Sequence, residues 1–330
     1  MRIRAVDPAY PKIAFDPLRA FQRAGLVLSG GIVYIAYASN DDARGWIVGY
    51  DETSLQLVRA LCITPTGNLG GIWDDGAAPS VDDSGNLFAL TGNGSFDAAN
   101  GGANYGMSAL RIATANPLSV TDYFAPHNEA KESHADLDLG SGGAMLLPDH
   151  AGAHPHEALA AGKQGKIFVL DRDAMGEWHA DRNHVVEELD ANPQGGFYSS
   201  PAYFNGSVYY APQGQHLWQF AVNGDTLSPS PVFQSAATFN YPGATPSISS
   251  DGSAQGVVWV IGAAGRVRGG PPAVLRAYDA HDVRNELYDS KRAGKRDEPG
   301  PSNKFAVPTI ASGRVYVGTQ TELDVYGLLR

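Results

Sequence analysis

The chain has 330 residues, of which 39 are Gly, 21 Pro and one Cys, and carries a formal net charge of -11. Its 18% of charged residues is too few for a disordered chain, and so many turn formers favour short strands over helices. The acidic balance without a long basic run excludes a nucleic-acid partner, and a lone Cys62 excludes an intrachain disulfide, a thiolate zinc site and a Cys-ligated cluster.

In chain order, YPKIAFD at residues 10–16 reads as one short strand ahead of a repeat. The first copy of that repeat is GLVLSGG from Gly25, VYIAYA from Val33, WIVGYD from Trp46 and LQLVRAL from Leu55. The second is PSVDDSG from Pro79, LFALTG from Leu87, MSALRI from Met107 and LSVTDYF from Leu118. AMLLPD from Ala144, EALAAG from Glu157, KIFVLD from Lys166 and HVVEELD from His184 make the third. The fourth is PAYFNG from Pro201, VYYAPQ from Val208, HLWQFAV from His216 and SPVFQS from Ser230. The fifth is PSISSDG from Pro246, VVWVIG from Val257, VLRAYD from Val274 and ELYDS from Glu286. The sixth, PTIASG from Pro308, VYVGTQ from Val315 and LDVYGLL from Leu323, has no fourth strand.

β-branched and aromatic runs punctuated by Gly and Asp are strands and turns, and a repeat of roughly 57 residues matches a four-stranded propeller blade with its loops. The expectation is an all-β, six-bladed β-propeller of four-stranded blades, a single domain over 1–330. Residues 10–16 are expected to close the ring by pairing with the three-stranded last blade. No stretch approaches the ~20 apolar residues of a membrane span. The start MRIRAVDPAYPKIAF has no apolar signal core, so a soluble chain is expected, cytoplasmic or without its export signal.

In a propeller the innermost strand of each blade lines the central channel, and the residues just before it stand at the channel mouth. Here these are Gln22 and Arg23, Asp74 and Asp75, Asp138 and Ser141, Tyr198 and Ser199, Tyr241, and Asn303 and Lys304. Asp74, Asp75, Asp136 and Asp138 are the candidate metal ligands, because hard carboxylate oxygens from adjacent blades suit Ca²⁺. Asp136 and Asp138 would share one face of an extended segment. His134, next to that pair, is the candidate general base with Asp138. Arg23, Trp73, Tyr198, Tyr241 and Lys304 are the candidate ligand-binding residues. Aspartates also accept backbone N–H groups in turns, and an exposed loop histidine needs no function.

The motifs VGYDETSLQLV, VLDRDAM, LRAYDAHDVRNELYDS and KFAVPTIASGRVYVGTQTELDVYGLL resemble the pyrroloquinoline-quinone (PQQ)-like repeat family of β-propellers. So do GGIWDDGAAPSVDDSGNLFALTGNGSFD, DLDLGSGGAMLLPD and PGATPSISSDG, and the resemblance is to the C-terminal part of longer, mostly exported bacterial members. It implies a propeller and, in the quinoprotein dehydrogenases of that family, PQQ held over Ca²⁺ with a covering Trp and a carboxylate base. A full set of PQQ contacts does not match, and an adjacent cysteine pair is impossible with Cys62 alone.

The expected function is a propeller that binds a small ligand or metal ion at the channel mouth, with a protein partner on the rim a further possibility. The alternatives are a Ca²⁺-dependent hydrolase of the lactonase or esterase type, with His134 and Asp138 catalytic, and a PQQ-dependent dehydrogenase.

Overall fold

The computed structural model describes residues 3–39, 43–193, 195–263 and 268–328. The backbone forms two compact units, Met1–Pro193 and Gln194–Arg330, with three antiparallel sheets in each.

In the first unit, the first sheet holds β1 (Ala20–Phe21), β2 (Leu26–Ser29), β3 (Ile32–Ser39), β4 (Trp46–Asp51) and β5 (Leu57–Cys62). β1 and β2 pair with successive halves of the long β3. The second sheet is β6 (Ser80–Val81), β7 (Leu87–Leu90), β8 (Ala109–Ala113) and β9 (Ser119–Phe124). A short helix, α1 (Glu129–His134), precedes the third sheet of β10 (Met145–Leu146), β11 (Glu157–Ala161), β12 (Lys166–Asp171) and β13 (Glu187–Asp190).

The second unit continues the pattern. Its first sheet is β14 (Ala202–Phe204), β15 (Ser207–Tyr210) and β16 (Gln215–Asn223), with β17 (Thr226–Leu227) and β18 (Phe233–Phe239) both on β16. Next come β19 (Ser247–Asp251), β20 (Ala254–Gly262), β21 (Val274–Asp279) and β22 (Asp282–Asp289). The last sheet has three strands, β23 (Thr309–Ala311), β24 (Arg314–Gly318) and β25 (Leu323–Tyr326). The fold is a six-bladed β-propeller.

Every repeat copy read from the sequence corresponds to one of these sheets, because blades packed face to face bury their middle strands on both sides. Such strands lose polar alternation and read as apolar runs. Leu87 and Ala89 on β7 join Tyr34, Ala36, Ile47 and Ile63 of the first sheet, whereas Phe88 and Leu90 join Phe168, Leu170 and Ala160 of the third. One strand thus serves two interfaces by period-two alternation. The outer β18 keeps the alternation, with Ser235 and Phe239 buried and the residues between them more exposed.

The N-terminal segment differs from the expected closing strand. Within residues 5–16 the backbone bonds are local, from Asp7 N–H to Ile13 O (3.2 Å) and from Phe15 N–H to Ala5 O (2.9 Å). Phe15 packs edge-on against Tyr37 (4.8 Å) and Trp46 (5.9 Å), so this segment packs on one face of the first sheet. An apolar side chain gains more from that face than from an edge strand's solvated surface.

Candidate functional site

In each blade of the first unit the inner strand begins beside the point where the second strand ends, because the two are antiparallel neighbours. Loops entering β6 and β10 therefore meet loops leaving β7 and β11 at one end of the sheets. Trp73–Asp75 lie on the first kind of loop, as do Asp136 and Asp138; Asn93 and Lys163 lie on the second.

Glycines bring these loops into contact. A Cβ on Gly140 would stand 2.5 Å from the Thr91 carbonyl carbon, and one on Gly162 would stand 2.4 Å from Asp138 O. At Gly92 it would stand 2.3 Å from Asp138 Oδ1 and 3.3 Å from the Trp73 ring. Gly92→Ala is accordingly expected to push the Asp138 carboxylate off its partners and cost about 1–3 kcal/mol, the range for inserting a carbon into a packed site. Urea unfolding of the variant measures it.

Two cation–carboxylate groups result. Arg23 Nη1 donates to Asp75 Oδ1 at 2.8 Å, and its guanidinium lies 4.5 Å from the centre of the Trp73 ring. Asp75 is 2% exposed, Arg23 35%, and the Phe21 ring lies tilted against the indole with centroids 6.3 Å apart. In the second group Lys163 Nζ bonds both Asp136 Oδ1 (2.9 Å) and Asp138 Oδ2, while the Lys163 N–H donates to Asp138 O (2.9 Å). Asn93 completes it, giving its N–H to Asp138 Oδ1 (2.6 Å) and its Nδ2 to Asp136 Oδ1 (2.8 Å). Asp136 has φ +59°, so the two carboxylates meet at Lys163 through a turn and not along the extended segment expected.

Asp74 is the anomaly of the site. Its backbone is left-handed (φ +44°), its side chain is fully buried, and among the described residues neither carboxylate oxygen accepts a hydrogen bond. Strain and an unsatisfied buried acid both cost stability and collect at functional sites. Burial, with Asp75 alongside, pushes the Asp74 carboxyl well above the usual range. Burial also pushes Asp75 up to about 6, with Asp138 adding and Arg23 and Lys163 opposing. Burial outweighs Lys163 at Asp138, which is raised; at the more exposed Asp136 Lys163 and Asn93 outweigh burial, and it is lowered.

The four aspartates do not fit a Ca²⁺ ion as ligands. Asp75 is taken by Arg23, and Asp136 and Asp138 by Lys163. Among the described residues, no three of the four carboxylates bring their oxygens within 4.8 Å of one another. PQQ chemistry has no thiol pair to draw on, since Cys62 is buried and its thiol pushed up to about 12. His134 ends α1 exposed to solvent, and among the described residues no hydrogen bond joins it to Asp138.

The candidates from the second unit form their own group. The Tyr198 and Tyr241 rings meet edge to face at 5.2 Å, and Lys304 Nζ lies 5.7 Å from the Tyr241 ring and 5.4 Å from Phe305. The cavity beside them, lined by Tyr198, Pro242, Asn303 and Phe305 among others, measures about 10 Å³, room for one water at most.

The structure places Arg23 and Trp73 beside Asp75, and Asp136 beside Asp138; Lys163 and Asn93, which bond Asp136 and Asp138, were not among the candidates read from the sequence. The ends of the second strands, TGN after Leu90 and AGK after Ala160, lie at the same end of the blade as the entries to the inner strands.

No protein-family model and no curated protein matches the chain. Among solved structures, the Dos1 propeller aligns over 98% of this chain and 69% of its own, at 9% identity and a TM-score of 0.55. The quinohemoprotein alcohol dehydrogenase ADHIIG of Pseudomonas putida HK5 aligns over 95% of this chain at 14% identity and a TM-score of 0.52. BamB from Moraxella catarrhalis aligns over 95% of this chain and 86% of its own, at 11% identity and a TM-score of 0.45. What this chain shares with the Dos1 propeller and the dehydrogenase is the fold. This chain spans 58% of the dehydrogenase's length.

Proposed function

We propose that this chain is a binding propeller of the PQQ-like repeat kind whose ligand site is the wall formed by Arg23, Trp73, Asp75, Asn93, Asp136, Asp138 and Lys163. The ligand is a small uncharged molecule rich in hydroxyl groups. The observation that carries the reading is a half-buried indole set among ion pairs that are already formed within the protein.

Two cations and three carboxylates leave that wall close to neutral, so another ion gains little by approaching it. A hydroxyl both donates and accepts, and matches the carboxylate of Asp136 and the ammonium of Lys163 together. Trp73 supplies apolar contact for the ligand's C–H surface. Because the protein groups hold one another in place, little side-chain entropy remains to be lost on binding. The propeller neighbours agree with the fold alone, and function has to come from the residues.

Calorimetric titration of the full chain with neutral sugars and polyols, sugar acids, Ca²⁺ alone, and PQQ with Ca²⁺ tests this. At least one neutral polyhydroxy compound is expected to bind, with affinity lost in Trp73→Ala and Lys163→Met. Binding unaffected by both substitutions, or binding confined to the acids or to PQQ with Ca²⁺, rejects the reading.

A further inference from the structure

A second candidate site lies away from this wall, on the loop between β12 and β13. We propose that His179, Asp181 and His184 bind a single divalent transition cation such as Zn²⁺, which clips the loop shut.

The loop is held at both ends before any ion arrives. Glu177 N–H donates to Tyr123 O (2.9 Å), Ala125 N–H donates to Glu177 O (3.1 Å), and Met175 N–H donates to Asp122 Oδ2 (2.9 Å). At the far end Val186 N–H donates to Val169 O (3.0 Å), and Asn183 bridges His127 N–H (2.7 Å) and Glu188 (2.7 Å). Gly176, at φ +97°, closes the loop: a Cβ there would stand 1.9 Å from His184 O, so no other residue allows residues 176 and 184 to touch.

This closure sets His179 and His184 ring on ring, with centroids 3.7 Å apart and planes 8° from parallel. Asp181 Oδ1 lies 3.7 Å from His184 Nε2, and one donor atom from each of the three residues lies within 4.8 Å of the others. A cation about 2.0–2.1 Å from each donor needs them somewhat closer. All three side chains are exposed, so their movement meets no packing resistance. Imidazole lone pairs lie in the ring plane, hence parallel rings cannot both aim at one ion. Binding turns one ring out of the stack. Two imidazoles and a carboxylate favour Zn²⁺, Ni²⁺ or Cu²⁺ over Ca²⁺ or Mg²⁺, which prefer all-oxygen ligands, and three protein ligands leave a fourth position for water.

The test is calorimetric titration of the untagged full chain with Zn²⁺ and with Mg²⁺ at neutral pH, together with hydrogen exchange of residues 177–186. One saturable Zn²⁺ site is expected, with no Mg²⁺ binding and slower exchange of the loop in Zn²⁺. His179→Ala and His184→Ala should each weaken binding more than about tenfold, the loss that even an outer-sphere change produces at a metal site. His156→Ala, in another loop, should leave it unchanged. Absence of saturable binding in the wild type, or binding that survives the double variant His179→Ala/His184→Ala, overturns the proposal.

Discussion

Lys163→Met is expected to destabilise the chain by about 3 kcal/mol near neutral pH, the cost of leaving a buried carboxylate without its cation. The ammonium is the only side-chain cation bonded to Asp138 among the described residues, and Asp138 is 8% exposed. Asp138 is raised by burial even with Lys163 present. Without the lysine it rises further, and its proton is retained in the folded chain over a wider range than in the unfolded chain. A raised carboxyl stabilises below its unfolded pKa, and that stability is lost as pH rises toward the folded value. The variant should therefore approach the wild type in acid and fall away from it toward neutrality. Asp138→Asn in the same chain should restore most of the loss, whereas a lysine that served only as surface charge would show neither the pH dependence nor the rescue. Urea unfolding across pH measures both.

Asp75 gives the other large effect. Its carboxyl, at about 6 in the folded chain against an ordinary value near 4, keeps a proton that the unfolded chain has released. Stability from this group therefore falls between about pH 4 and pH 6, by about 3 kcal/mol in all. In Asp75→Asn that slope disappears. The amide also differs from the carboxyl in its hydrogen bond to Arg23, so the informative quantity is the change with pH in the difference from wild type. That difference should move about 3 kcal/mol in the variant's favour from pH 4 to pH 7. A constant difference would mean that Asp75 is an ordinary carboxylate. Asp74→Asn should act in the same direction, because the fully buried Asp74 is raised well above its ordinary value by burial and by Asp75.

The blades were legible because their chemistry is local. Alternating or wholly apolar runs such as LFAL and KIFVL, ended by Gly and Asp turns, fix strands whatever their neighbours do. The three-stranded last sheet was legible for the same reason. Phe15 was harder to place: its choice of a face against Tyr37 and Trp46 depends on which surface of a distant strand is bare, and nothing in YPKIAFD records that. The site divides in the same way. Arg23, Trp73 and the aspartates announce themselves by position ahead of an inner strand, but counting carboxylates suggested a cation site. Lys163 reverses that reading, and it sits 25 residues downstream of Asp138 on a loop made adjacent by antiparallel pairing and by Gly140 and Gly162.

The indole N–H of Trp73 reports most directly on the central claim. Its ¹⁵N-labelled resonance, assigned by its disappearance in Trp73→Phe, can be followed while a neutral polyhydroxy ligand is added. A saturable shift confined to that resonance among the five tryptophans is the predicted result. A Trp73 signal that stays fixed through the whole ligand panel, in a chain whose other resonances show it folded, would contradict the assignment of this wall as the binding site.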